Sequence, residues 1–389
     1  MKKSKTTSLK TLIAHAIADS NTSLALNVPG WGGTEVIETL QTEFPKLNSH
    51  ICFNEEAAFS IASGAALFGK RACLLIKAHG LLKAANALTS TLSIGTNQAF
   101  VIFVFDDTKG KSSDNILNTL PYLQSLEAPY FHLGENPYEM IQRAYQTSES
   151  LRLPVIIYVE CDKLESNYTF EIESMAESRI ANRPWTPYES VAAPLITKFQ
   201  RDILVSKLNQ KNWTNAEPPS IPNIGDILPP KLKFTYDKYR PFFDVFQHIE
   251  KDFVSGDAGT SSLFAFPPYE CIKFTSYMGG SPGLAAGASL AGAKKSWSVT
   301  GDFSFLAAGI LGWQECLSLE IPIKLIIFQN HYASATGGQK IPEILLQKFC
   351  KANEELIQTI AISDSSKRIS DQLIRLSQNN KLAALIVKC

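Results

Sequence analysis

Residues 296–339 read SWSVTGDFSFLAAGILGWQECLSLEIPIKLIIFQNHYASATGGQ, and the fold turns on them. An apolar run over 296–300 reads as a strand ending at Gly301-Asp302. A helical stretch follows from near Ser304 and Phe305, and a second apolar run, 323–329, ends at Asn330. Strand, helix and strand at this spacing make a parallel βαβ unit. In open parallel sheets ligands sit at the carboxyl ends of the strands, so Asp302 and Asn330 are predicted to project into one crevice. A carboxylate, an amide oxygen and a backbone carbonyl are hard donors of the kind Mg²⁺ takes. The same two residues also fit a blander arrangement, an Asp capping the next helix and an Asn in a turn.

The rhythm extends outward. Residues 23–28, 72–76, 99–105 and 154–160 are rich in Val, Ile, Leu and Phe and read as strands. The last three lie too far apart for hairpins, which predicts helical crossovers and a parallel sheet. Residues 252–255 and 383–387 give further strands in the second half, with a small-residue helix over 282–293. Between the halves, Pro, Asn, Ser and Lys accumulate and strand signals thin out, except for a helix near 193–208. The expected fold class is α/β: two doubly wound parallel-sheet domains, 1–165 and 236–389, joined by an irregular linker, 166–235. No period of repeat length is present.

Composition narrows the function classes. Lys plus Arg equals Asp plus Glu, 37 each, so no basic field exists to hold nucleic acid. Lys10, His15 and Asp19 interrupt the apolar positions of the N-terminal stretch, while Leu9, Leu12, Ile13, Ala16 and Ile17 recur at helical spacing; this is an amphipathic helix rather than an export signal. No apolar run is long enough to span a bilayer. Seven scattered cysteines, never in CxxC spacing, fit reduced thiols and a cytoplasmic location and argue against a clustered metal site.

Two local motifs mislead. Residues 279–283, GGSPG, satisfy GxSxG with Asp302 and His331 following in order, but too little chain separates Ser281 from Asp302 for a hydrolase triad. Gly110-Lys111-Ser112 lacks the first glycine of a P-loop, since Phe105 stands there.

The segment Gly301-Asp302-Phe303 with Gln329-Asn330 resembles the GDG…NN signature of thiamine-diphosphate enzymes, with Phe303 and Gln329 departing from it. Gly259-Thr260-Ser261 is similar to that superfamily's loop near the diphosphate. Residues 277–287, YMGGSPGLAAG, resemble its preceding helix, and residues 330–339, NHYASATGGQ, resemble the indolepyruvate ferredoxin oxidoreductase α subunit. In the first half, Asn27-Val28-Pro29-Gly30, residues 54–69, Lys77-Ala78-His79-Gly80-Leu81, Asp106-Asp107 and Ser112-Ser113 resemble the pyrimidine-binding domain of that subunit, in order.

The resemblance implies thiamine diphosphate and Mg²⁺, the metal held by Asp302, Asn330 and the Tyr332 carbonyl. It places Gly30, Gly259, Thr260, Ser261, Met278, Gly279, Gly301, Phe303, Ser304 and Ala333 around the cofactor. Glu55 takes the place of the glutamate that hydrogen-bonds the aminopyrimidine, and His79 that of a group transferring a proton or binding the substrate carboxylate. Without the resemblance, Glu55 and Glu56 are two carboxylates favouring a helix N-terminus, and His79 is a polar loop residue. Either Met278 or Pro282 fits as the apolar support under the cofactor.

The chain carries no counterpart of that subunit's cysteine-rich ferredoxin-like domain, and the stretch 166–235 is too short for the middle domain of large decarboxylases. The layout is similar to phosphonopyruvate and sulfopyruvate decarboxylases. The resemblance therefore implies non-oxidative decarboxylation of a 2-oxo acid, aromatic or apolar, with carboligation close to it. A subunit of a 2-oxo acid:acceptor oxidoreductase that needs an iron–sulfur partner is the alternative, and a non-catalytic binding protein of the same fold is another. It further implies a homodimer or homotetramer with active sites at subunit interfaces, and no nucleic-acid or membrane partner.

Overall fold

A computed structural model describes residues 4–176 and 185–389. The chain divides into two units, Met1–Arg183 with Val205–Lys211, and Pro184–Leu204 with Asn212–Cys389.

The first unit contains β1 (Ser4–Ser8), β2 (Leu24–Asn27), β3 (Asn48–Ile51), β4 (Ala72–Lys77), β5 (Phe100–Asp106), β6 (Tyr130–His132), β7 (Val155–Glu160) and β8 (Asn167–Glu171). Six of these form one sheet in the order β3-β2-β4-β5-β7-β6, every pairing parallel. The central strands β4 and β5 are buried along nearly their whole length, which is why they read as unbroken apolar runs rather than as an alternation. β1 and β8 pair antiparallel as a separate ribbon. Neither was expected, because Ser4–Ser8 and Asn167–Glu171 are polar and half-exposed. The amphipathic N-terminal helix is present as Leu9–Asp19, with Leu9, Leu12, Ile13, Ala16 and Ile17 all buried.

The second unit repeats the plan with β9 (Phe253–Asp257), β10 (Phe274–Ser276), β11 (Ser296–Gly301), β12 (Lys324–Gln329), β13 (Ile357–Ala361) and β14 (Ala383–Lys388). Their order is β10-β9-β11-β12-β14-β13, again all parallel. The helix Ser281–Leu290 crosses from β10 to β11. Its residues from Ser281 to Ala288 are all buried, which lets the backbone of Gly312 come so close that a Cβ there would lie 3.0 Å from Gly283 N. The helix Pro230–Phe246 lays Tyr239, Phe242, Phe243 and Phe246 into an aromatic cluster with Phe264, Trp297 and Phe328. Helix Thr197–Leu208 accounts for the helical signal expected near 193–208. No helix among the described residues is long and apolar enough to cross a membrane.

Candidate active site

β11 and β12 are neighbours, with Gly301 opposite Phe328, so their carboxyl ends deliver Asp302 and Asn330 side by side. Asp302 is tied to the end of β12 through the residue after Asn330. The backbone N–H of His331 donates to Asp302 Oδ2 at 2.7 Å, and Phe303 N–H donates to Asp302 Oδ1 at 2.9 Å. The helix expected from near Ser304 begins at Asp302 itself, with Gly301 as its cap. Because the carboxylate satisfies an N–H of the first turn, the helix starts two residues early. Its next five residues, Phe305–Gly309, form a π-helical turn before regular helix resumes at Ile310, a distortion often found beside functional sites. Gly279 explains part of it. Its φ is +90°, and a Cβ there would lie 2.6 Å from Gly309 N and 2.7 Å from Ser304 O, so only glycine lets the two backbones touch.

Asp302 is 2% exposed. Burial raises its carboxyl above the ordinary value, against the hydrogen bonds from His331 and Phe303. Asn330 Oδ1 accepts from Tyr332 N at 2.9 Å, and Asn330 Nδ2 donates to the Tyr239 hydroxyl at 2.8 Å. One cavity is lined by Asp302 and Asn330 together with Gly259, Thr260, Ser261, Met278, Gly301, Phe303, Ser304, Tyr332 and Ala333. Of the expected residues in this half, only Gly279 stands behind that wall. Met278, 40% exposed, faces the cavity, whereas Pro282 is buried in the first turn of its helix.

The donor set suits a hard cation. The oxygens of Asp302 and Asn330 keep lone pairs beyond the hydrogen bonds they accept, and the Tyr332 carbonyl takes no hydrogen bond from the described residues. Gly259 and Gly301 border open space, with no atom within 4 Å of a Cβ built on either, which leaves room for an anion beside these donors. The residues present therefore fit Mg²⁺ with a diphosphate.

Several members of this cavity were missed in the sequence, among them Tyr239 and a buried carboxylate. Asp257, at the end of β9, is 1% exposed and accepts from Ser281 N at 2.9 Å and from the Thr300 hydroxyl. It ties the end of β9 to the start of the next helix and to the end of β11. Burial raises its carboxyl to about 6 in spite of those bonds. The strand-ending position of SGDAG was the available signal. Ser281, the nucleophile of the hydrolase motif, is fully buried and its hydroxyl is directed to Val299 O, an arrangement with no access for a substrate.

In the first unit, Glu55 opens the helix Glu55–Leu67, capped by Asn54, whose side chain accepts from the N–H groups of Glu56 and Ala57. Asn54 thus does the capping and frees Glu55 to face outward. Glu55 Oε2 lies 3.0 Å from Lys83 Nζ. Gly80 packs on it so closely that a Cβ would meet Glu55 Cγ at 2.8 Å. Glu55, Lys77, His79, Ser113 and Asn115 line one pocket at the carboxyl ends of β2 and β4. The Lys77 ammonium donates to Ser112 O at 3.1 Å and Ser113 Oγ at 2.8 Å, and His79 Nε2 is bonded to Asn115 Oδ1. Gly30 lies under the Lys77 stem, where a side chain would collide with it at 2.6 Å.

Residues 257–365 match the family model described as thiamine pyrophosphate enzyme, C-terminal TPP binding domain. The chain is similar to the indolepyruvate oxidoreductase subunit IorA of Archaeoglobus fulgidus, 24% identical over 58% of this chain and 39% of that protein. It is also similar to the IorA of Thermococcus kodakarensis, 30% identical over 37% of this chain and 23% of the other. It thus spans well under half the length of these curated relatives. Among solved structures, benzoylformate decarboxylase from Polynucleobacter necessarius superposes with a TM-score of 0.64 at 11% identity, covering 98% of both chains. A thiamin diphosphate-dependent enzyme isolated from Mycobacterium smegmatis gives a TM-score of 0.64 at 12% identity, covering 100% of this chain and 99% of the other. At such identities these two likenesses concern the fold.

Proposed function

We propose that this chain, which belongs to the thiamine-diphosphate-dependent 2-oxo acid enzyme superfamily, decarboxylates a 2-oxo acid without oxidation, releasing CO₂ and an aldehyde. The observation that carries this reading is the convergence of Asp302, Asn330 and Tyr332 on the cavity that also holds Gly259-Thr260-Ser261. Thiamine diphosphate, when bound, supplies a nucleophilic carbon and an electron sink. Asp302, Asn330 and Tyr332 would hold Mg²⁺ and through it the diphosphate. Glu55 would hydrogen-bond the aminopyrimidine and hold a proton there, and His79 would move a proton or receive the substrate carboxylate. Met278, Phe303 and Tyr332 are each 39–43% exposed around the metal-side cavity, which favours an aromatic or apolar substrate. The same residues serve carboligation if a second carbonyl compound takes up the product carbon. The working assembly is a homodimer or homotetramer in the cytoplasm.

A second reading, the catalytic subunit of a 2-oxo acid:acceptor oxidoreductase with an iron–sulfur partner, is favoured by the names of the IorA relatives. Release of CO₂ and aldehyde by the purified chain alone separates the two. The experiment is a screen of 2-oxo acids with thiamine diphosphate and Mg²⁺, preceded by thermal unfolding. At a hundredfold excess over Kd the cofactor should add about 2.7 kcal/mol of stability, and Asp302→Ala should abolish that gain. A wild-type protein indifferent to cofactor plus Mg²⁺ would sink both readings.

A further inference from the structure

We infer that the Tyr239 hydroxyl is a positioning group that locks the Asn330 amide with its oxygen toward the metal; this rests on the metal site proposed above. A side-chain amide can face either way, so its orientation has to be argued from its partners. The Tyr332 backbone N–H can only donate, and it lies 2.9 Å from Asn330 Oδ1. That fixes the oxygen. The nitrogen is left 2.8 Å from the Tyr239 hydroxyl and donates to it. With Nδ2 held, the amide cannot turn, and the second lone pair of Oδ1 stays available to a cation. A turned amide would present an NH₂ group to the cation and lose it.

Tyr239 is itself immobilised. It is 2% exposed, and its ring stacks on Phe328, two residues before Asn330 on β12, with centroids 4.3 Å apart and planes 14° from parallel. The strand that carries the ligand therefore also carries the ring's support. The Cys389 thiol stands beside the hydroxyl as a further hydrogen-bonding partner. A phenylalanine in this place would fill the aromatic cluster as well as the tyrosine does. The hydroxyl is explained by the amide it holds.

The test compares wild type, Tyr239→Phe, Asn330→Asp and the double variant by calorimetric titration of Mg²⁺ at saturating thiamine diphosphate. Tyr239→Phe should raise the Mg²⁺ needed for half-saturation about tenfold or more, the range seen when a group orienting a metal ligand is removed. In the Asn330→Asp background it should have no effect, because a carboxylate presents two equivalent oxygens and needs no orienting. Tyr236→Phe, which removes another buried-ring hydroxyl from the same helix, should leave Mg²⁺ binding unmoved. Equal effects of Tyr239→Phe in the wild-type and Asn330→Asp backgrounds, or none in either, overturn the inference and leave the metal site standing. Failure of the wild type to bind cofactor with Mg²⁺ overturns the metal site, and the inference with it. Should Tyr239→Phe not fold, side-chain amide exchange by NMR decides on the wild type: the Asn330 NH₂ must be protected from solvent, and rapid exchange refutes the inference.

Discussion

Replacing Asp257 by asparagine should flatten the dependence of stability on pH. The folded-state pKa of Asp257 lies near 6, above the 3.8 of a free carboxyl, because burial opposes its charge. The native state therefore binds the proton more tightly than the unfolded state does. Stability must fall as pH rises from about 4 toward 6 and then level off. A rise from 3.8 to about 6 corresponds to roughly 3 kcal/mol in all, of which about 2 kcal/mol falls between pH 4.5 and 7.5. The amide keeps an oxygen for Ser281 N–H and turns its NH₂ toward Thr300, whose hydroxyl can accept as well as donate. The variant should fold and lose the penalty at neutral pH. Other carboxyls titrate alike in both proteins, so the difference between their urea-unfolding free energies isolates this group. That difference should move in favour of the Asp257→Asn protein by about 2 kcal/mol from pH 4.5 to 7.5. Parallel curves would mean that Asp257 is not titrating in a desolvated place, and the account of how the end of β9 is held would fail.

Three further substitutions probe the machinery. Glu55→Gln should keep cofactor binding in a thermal-shift assay and lose turnover, since an amide holds the ring but not the proton; full activity would refute the role of Glu55. Gly80→Ala puts a methyl 2.8 Å from Glu55 Cγ and should lower kcat at least about tenfold through misplacement, with cofactor affinity nearly unchanged by calorimetry. Gly279→Ala meets backbone at Gly309 and Ser304 and a φ of +90°, so urea unfolding should show a loss of about 3 kcal/mol, one part conformational and one part overpacking. A loss under ~0.5 kcal/mol, the level of an ordinary surface change, would show that the π-helical turn does not depend on that contact.

What the sequence revealed of the fold follows burial. The strands expected at 72–76, 99–105, 296–300 and 323–329 are interior strands, and they appear within a residue or two of those bounds as β4, β5, β11 and β12. Of the strands in the two parallel sheets, β6, β10 and β13 were not expected, and β3 only as a strand end before the helix at Glu55; these four are the edges. An edge strand is covered on one side at most, so Asn48–Ile51 and Ile357–Ala361 carry polar and half-exposed residues and give no apolar run to read. The sheet order itself was beyond the reach of any local pattern, because it depends on which crossover packs on which face.

The site was legible for a related reason and obscure for another. Strand ends are easy to find, and Asp302, Asn330 and Asp257 all stand at them. What a carboxylate does there depends on its solvation, which the sequence does not record. At Asp302 the capping and metal-binding readings are not rivals. Two N–H donors, one per oxygen, account for Asp rather than Asn, since an amide has one oxygen to offer them. Those bonds nevertheless leave the carboxyl raised above its ordinary value, so the protein's own donors do not fully offset the cost of burying the charge. A residue kept as Asp for its two acceptors, and left with an incompletely compensated charge on a cavity wall, is one that a cation stabilises. The helix start thus fixes the geometry, and the remaining electrostatic deficit is what the proposed Mg²⁺ would offset.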